Sequence, residues 1–312
     1  MKPDALTDAK WQSVERCPAC GAYEVTERAP LPGSAYTHAD EKIDYPAAGI
    51  PLVTCAKCSL TYKGIVPQPG FLAQVFSRQA GKIWMDDYAF ESEIRLLKKM
   101  IGSDCFDVLD VGASNGALLK ACSRANVTGR RSALDLIAHP GLEAQLSGEL
   151  IDGFLDSALL SWSGVPYQVV TLFDLLEHLY EPEIAFENLH MLLDKDGVVL
   201  LETGNIESYW PRKFGRANWW YVNLFPHHIF WSRSTLTKFA ERHEFGVVLW
   251  EDKRHKDRGF PLLHEASNLA KVGAYRLLPR YYSSLVARFG KRGGQPGSPF
   301  TRDHFRVCLR RI

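Results

Sequence analysis

Two textures of apolar and polar residues divide the chain. Between residues 11 and 70 the apolar runs are short, as in Pro51-Leu-Val-Thr54 and Leu60-Thr-Tyr62, and Pro and Gly interrupt them. That pattern predicts small strands with too little apolar material for an independent core. From Phe90 to Met100 the spacing turns helical, with Ile94, Leu97 and Ile101 on one face. Continuous apolar runs then alternate with helical stretches. Strands are expected at Phe106–Val111, Ser132–Asp135, Gln168–Phe173, Gly197–Glu202, Gly246–Trp250 and His304–Leu309. Helices are expected at Gly116–Cys122, at Ile184–Leu193 with Lys195-Asp-Gly197 ending it, and at Ser234–His243. Such βαβ alternation predicts an α/β fold, a doubly wound and mostly parallel sheet with helices on both faces. A small module, residues 1–75, precedes the α/β domain, residues 76–312. An apolar, aromatic helical segment and a glycine-rich tail, residues 259–299, read as an insertion before the last strand. A lid, a dimer face or a surface-lying helix would each suit it.

Composition narrows the class. Over 312 residues, 46% hydrophobic and 12% aromatic content excludes a disordered chain, and 37 basic against 36 acidic side chains leave no strong global field. The stretch from Arg276 to Ile312 departs from that balance, with nine basic side chains to one acid, Asp303. It suits phosphates, an anionic lipid surface or simply a solvated helix face. Met1–Lys10 has no apolar run of signal-peptide length and no later segment reaches spanning length, so a soluble, cytoplasmic protein is expected. Of seven cysteines, four fall in two close pairs, while Cys105, Cys122 and Cys308 stand singly. Metal binding plus buried thiols fits that usage better than disulfides.

Chemistry concentrates first at Asp110-Val-Gly112-Ala-Ser-Asn-Gly116, between a predicted strand and a predicted helix. There, glycines let a ligand approach the backbone at the carboxyl edge of a parallel sheet. Dinucleotide enzymes use such turns too, but the sign of Asp110 discriminates. A carboxylate ~5 Å from a pyrophosphate is repelled by roughly 3 kcal/mol at an effective dielectric of 20, whereas a cationic cofactor is attracted. S-adenosylmethionine, with its ammonium and sulfonium, has the right charge. Asp135 ends the next strand 25 residues on and suits the ribose hydroxyls; a solvated strand-end acid is the plainer role. An aspartate placed at Gly112 is expected to fill the space of the methionine part and spare the fold.

With these residues in place the chain resembles class I S-adenosylmethionine-dependent methyltransferases over about residues 85–258. The resemblance rests on Val-Leu-Asp110 to Gly116, on Asp135, on Phe173-Asp-Leu-Leu-Glu-His-Leu179 and on Phe225-Pro-His-His-Ile-Phe-Trp-Ser232. It implies a seven-stranded, Rossmann-like methyltransferase domain. Ser114 stands where the family often has a second glycine, and a small side chain suits that turn. By the same resemblance Asp152 and Phe154 flank the adenine, and Phe173 or Asp174 lies near the cofactor. Asp152 also suits a turn former.

The cysteine pairs Cys17-Pro-Ala-Cys20 and Cys55-Ala-Lys-Cys58 lie 34 residues apart, each followed by a small residue, Gly21 or Ser59. Four thiolates fill a tetrahedral Zn2+ site and leave no open position, so the expected metal is structural. The module resembles the amino-terminal zinc region of deoxysugar C-methyltransferases and related small-molecule methyltransferases. That implies a small-molecule methyl acceptor, such as a sugar, a nucleotide-linked sugar or another biosynthetic intermediate. The alternative is a nucleic-acid-directed methyltransferase or a non-catalytic binding protein. Against it, Arg28, Lys42 and Lys57 are outnumbered by Glu24, Glu27, Asp40, Glu41 and Asp44 between the first and last of these cysteines. Nothing in the pattern selects an oligomeric state.

Three residues are candidates for catalysis. His178 follows the expected strand Gln168–Phe173 and His228 lies after the strand Gly197–Glu202, so both can converge near the transferred methyl. Histidine is the natural base for a hydroxyl or an activated carbon at neutral pH. Both positions resemble active-site histidines of deoxysugar C-methyltransferases, although His227 stands where that family has a glutamate. Tyr88 resembles a tyrosine that closes over the active site. A rival resemblance, to small-RNA 2′-O-methyltransferases, makes Asp174, Glu177, His178 and His228 a divalent-metal site. Trp210, Trp219, Trp220 and Tyr221 suit either a substrate pocket or a core.

Overall fold

A computed structural model of the chain describes residues 10–38, 41–79, 89–137, 139–156, 164–254 and 302–312, with isolated positions between 266 and 278. The chain divides into two compact units. One comprises Met1–Phe71, Gly204–Thr235 and Glu251–Phe305, the other Leu72–Thr203, Leu236–Trp250 and Arg306–Ile312. The cysteine segment therefore shares its unit with two later stretches, and is not built from the first 75 residues alone. Most of the expected 259–299 insertion, and Tyr88, lie outside the described residues.

In the cysteine unit the strands are β1 (Trp11–Ser13), β2 (Val25–Pro30), β3 (Ala35–His38), β4 (Glu41–Asp44), β5 (Pro51–Cys55), β6 (Thr61–Lys63) and β7 (Ile65–Pro67). Helix α1 (Pro69–Gln79) follows. β1 pairs with β7 and β3 with β4. The third sheet is antiparallel, in the order β13-β6-β5-β2, and its edge strand β13 (Ile229–Phe230) comes from the distant Gly204–Thr235 segment. That segment also supplies apolar mass that the cysteine segment lacks. Phe225, 2% exposed, meets the rings of Trp11 at 5.8 Å, Tyr36 at 6.3 Å and Phe71 at 6.0 Å. Helix α5 (Tyr209–Phe214) lies in the same segment.

The other unit is built on the α/β sheet. Helix α2 (Glu91–Ile101) carries acids in its first turn and lysines in its last, which suits the helix dipole, and left-handed Gly102 closes it. There follow β8 (Val108–Val111), α3 (Ala117–Arg124), β9 (Arg131–Asp135), β10 (Leu150–Asp152), β11 (Tyr167–Phe173), α4 (Pro182–Leu192), β12 (Leu193–Gly204), α6 (Arg233–Arg242), β14 (Phe245–Lys253) and β15 (His304–Arg311). The seven strands are ordered β10-β9-β8-β11-β12-β15-β14, and β10, β9, β8, β11 and β12 run parallel. β8 is buried throughout and β11 at five of its seven positions, as strands covered on both faces must be. Strand order reverses between β8 and β11, the switch point where open α/β sheets bind ligands.

Two local expectations shift. The stretch Lys195-Asp-Gly197 does not merely end a helix. It belongs to β12, where the register slips between Tyr167↔Leu193 and Val169↔Val198, so the extra residues bulge out of the ladder. Cys105 is exposed, whereas Cys122 and Cys308 are buried as expected. The basic carboxyl-terminal residues are also partly engaged within the sheet unit. The Arg310 guanidinium donates to Met100 O at 2.9 Å, and that of Arg311 to the carbonyls of His190 and Leu193. Neither matches the free phosphate or lipid grip considered above.

Candidate active site and cysteine cluster

The cofactor candidates gather at the carboxyl edge of β8, β9, β10 and β11 within the sheet unit. Asp110 is 5% exposed and its Oδ1 accepts the Thr171 hydroxyl at 2.7 Å. Burial pushes its carboxyl up to about 7, against the opposing pull of that hydrogen bond and with a further push from the Asp135 charge. Asp135 lies in register beside Asp152, its own pKa also raised by burial. The Ser114 N–H donates to Asp135 Oδ2 at 2.8 Å and the Ile137 N–H to Oδ1 at 3.0 Å. Each oxygen keeps a further lone pair for a hydroxyl. One buried and one half-buried acid, both pushed toward the protonated form, make a site suited to a cation with vicinal hydroxyls, so their chemistry fits S-adenosylmethionine.

Backbone geometry explains the residues between these acids. Gly112 and Gly116 have φ of 73° and 75°, and Cβ atoms there would come within 2.9 Å of Leu175 Cδ1 and 3.0 Å of Gln145 Cγ. The expectation for an aspartate at Gly112 therefore needs correcting. The side chain would press on Leu175 and hold a left-handed φ, so the fold is strained along with the site. Ser114 is also left-handed, at φ 51°, which is why a glycine is at home there; its amide contact with Asp135 offsets the strain. Asp174, at φ 48°, is exposed, and its N–H donates to Glu202 O at 2.9 Å. Phe173 is half-buried against Phe90, centroids 5.2 Å apart. Asp152 is exposed and Phe154 half-buried beyond β10.

His178 closes a 3-10 turn past β11 and is half-buried, and its neighbour Glu177 is fully buried, accepting the Thr203 hydroxyl at 2.7 Å. His227 and His228 belong to the cysteine unit, 5% and 3% exposed. The aromatic quartet is divided in character. Trp210, Trp219 and Tyr221 are buried, and the Tyr221 ring lies 4.1 Å from that of His227. Trp220 Nε1 donates to Asp303 Oδ2 at 3.1 Å.

All four cysteine sulfurs lie within 4.8 Å of one another, Cys17 to Cys58 at 3.5 Å and Cys20 to Cys55 at 3.6 Å. Four sulfurs ~2.3 Å from one zinc stand ~3.8 Å apart, so the cluster fits a tetrahedral ion. Gly21 and Ser59 are both left-handed, and the Gly21 and Ser59 amides turn back to Cys17 O and Cys55 O. Hydrogen bonding from Cys17 brings the Cys58 thiol down to about 5, while Cys17, its proton held in that bond and buried, is pushed up.

Three buried polar groups escaped the reading of the sequence. Lys63 is 2% exposed, and its Nζ donates to Leu224 O at 2.7 Å. Asp303 and His304 are joined Oδ1 to Nδ1 at 3.0 Å, with the His304 ring edge-on to Tyr221 at 4.9 Å. Arg306 pairs with Glu93 and, at 3.5 Å, with Glu202. Lys63, Arg306 and, through Trp220, Asp303 reach partners remote in sequence, and no local motif signals such pairings.

A model of the methyltransferase-domain family matches residues 74–249, more than half of the chain. The chain belongs to this family and is an S-adenosylmethionine-dependent methyltransferase. No curated protein matches the sequence. Among solved structures it is similar to the Burkholderia thailandensis 1,6-didemethyltoxoflavin-N1-methyltransferase with bound 1,6-didemethyltoxoflavin and S-adenosylhomocysteine. That match has 12% identity and a TM-score of 0.50, covering 86% of this chain and 98% of that one. A chain from the complex of the Haloferax volcanii Trm112 methyltransferase activator with a methyltransferase gives 15% identity and a TM-score of 0.51, over 77% and 96%. At these identities the likeness concerns the fold.

Proposed function

We propose that the enzyme methylates a small-molecule acceptor, a sugar, nucleotide-linked sugar or another biosynthetic intermediate, and that its four cysteines hold a structural zinc ion. Buried Asp110 and half-buried Asp135, on either side of the Gly112–Gly116 turn, carry this reading. Asp110 holds the ammonium of the methionine part, and Asp135, steadied by two backbone amides, accepts the ribose hydroxyls. Asp152 and Phe154 border the adenine, and Phe173 and Asp174 border the cofactor at the end of β11. S-adenosylmethionine supplies an already activated methyl, so the protein's tasks are alignment and removal of one proton. Alignment lowers a barrier by roughly 7–11 kcal/mol and a positioned base adds ~10²–10⁴-fold.

His178 is assigned as that base and His228 as an acceptor-orienting residue, with Tyr88 covering the site; the sequence motifs support these roles. The 1,6-didemethyltoxoflavin bound in the Burkholderia enzyme is a small-molecule precedent on this fold. The acidic charge of the cysteine segment argues against a nucleic acid acceptor. Mass spectrometry of the purified protein and calorimetry with S-adenosylhomocysteine test the proposal directly. Failure of saturating S-adenosylhomocysteine to bind or to raise thermal stability would refute it.

A further inference from the structure

We propose that Lys63 is a positioning residue that fixes the Leu224–His228 segment, and with it His227 and His228, onto the cysteine-bearing sheet. The inference rests on the assignment of His228 to the acceptor site.

The geometry lies within the cysteine unit. The Cys55–Cys58 knuckle is the turn of the β5–β6 hairpin, and Lys63 ends β6. Its backbone N–H donates to His228 O at 2.8 Å while Nζ donates to Leu224 O at 2.7 Å, so one residue grips both ends of the segment. Beyond His228, β13 joins the same sheet through Ile229↔Tyr62 and Phe230↔Thr61. Inside the segment, Phe225 is seated among Trp11, Tyr36 and Phe71.

A buried amine is an expensive way to bind one carbonyl. Among the described residues Leu224 O is the only side-chain partner of Lys63, and no carboxylate offsets the charge. Burial accordingly lowers its pKa to about 7. Methionine would fill similar volume without that penalty, and packing alone would favour it. What the amine adds is a directed hydrogen bond that fixes one carbonyl, four residues before His228. The metal knuckle would then set the hairpin, and the hairpin, through Lys63, the histidines.

The experiment uses the full chain labelled with 15N-histidine, with ring resonances assigned through His227→Asn and His228→Asn. Lys63→Met should shift or broaden the His227 and His228 rings and leave the other histidines unmoved. Zinc should stay near one per chain and S-adenosylhomocysteine affinity within about twofold of wild type. Lys63→Gln, which keeps an N–H donor, should restore the ring signals at least in part. Unmoved His227 and His228 resonances in Lys63→Met, or a glutamine variant no better than methionine, would overturn the proposal. Loss of S-adenosylhomocysteine binding by the wild-type chain would instead overturn the methyltransferase reading of the site. Should Lys63→Met not fold, hydrogen exchange of the wild type decides. Chelating the zinc should speed amide exchange at 224–230 together with 55–63 by at least ~10-fold, and independent exchange of the two stretches refutes the link.

Discussion

Replacing Asp110 by asparagine tests the charge logic of the cofactor site in two independent ways. Burial moves this carboxyl from an ordinary 3.8 to about 7. The folded protein therefore holds the proton more tightly than the unfolded chain. Stability falls as pH rises from about 4 to about 7, by ~1.4 kcal/mol per unit, and is level above that. Over about three units the accumulated cost is of the order of 4 kcal/mol. In Asp110→Asn the Thr171 hydroxyl keeps an acceptor, while the new amide N–H, if unmatched, costs about 1–3 kcal/mol. The variant should thus lose the slope contributed by this group between pH 4 and 7 and match or exceed wild-type stability at pH 8. Cofactor affinity should move the other way. An ammonium ~5 Å from the ionised carboxylate gains roughly 3 kcal/mol at an effective dielectric of 20, so S-adenosylhomocysteine should bind on the order of 10²-fold more weakly to the variant. Wild-type binding should release a proton near neutrality and weaken by up to about tenfold per unit as pH falls below 7. Urea unfolding across pH and calorimetry in buffers of different ionisation enthalpy read both effects. An unchanged pH slope, or equal affinity of the two proteins at pH 8, would refute the role given to Asp110.

His178→Ala should keep S-adenosylhomocysteine affinity and lose at least ~10²-fold in turnover with the acceptor, measured once that acceptor is in hand. Activity should survive EDTA while the buried zinc stays in place; rescue of a chelated enzyme by magnesium or manganese would favour the metal reading of Asp174, Glu177, His178 and His228. Metal analysis should find about one zinc per chain, and Cys55→Ser should lower solubility and thermal stability, since structural zinc supplies ~10–16 kcal/mol in small modules. Gly112→Ala should lose about 1–2 kcal/mol from its left-handed φ, seen as a melting temperature several degrees lower, and should also weaken S-adenosylhomocysteine binding through displacement of Leu175. A glycine-like tolerance at that position would mean the turn is not held as described.

The elements with the strongest local signals were legible in the chain. Continuous apolar runs specified β8, β11 and β12 because strands buried on both faces admit few polar residues. Gly112, Gly116, Gly21 and Ser59 marked tight turns, which the structure shows to be left-handed there, and two CxxC pairs marked the cysteine cluster, since each of these requirements acts over a few residues. β10 is three residues long and half-exposed, so no periodicity announced it as a strand. The slip inside β12 depends on where β11 ends, which is knowledge of a partner strand. Long-range pairing also decided the composition of the cysteine unit. Residues 11–70 show their lack of apolar mass, but not that Phe225 and β13, some 160 residues later, would supply it. Lys63 reads as an ordinary charged strand end, and Asp303 and His304 as one more polar pair where a strand begins. Only folding buries them, bringing Lys63 to Leu224 O and Asp303 to the Trp220 indole. A buried polar group is defined by what surrounds it, and those surroundings exist only in the tertiary structure.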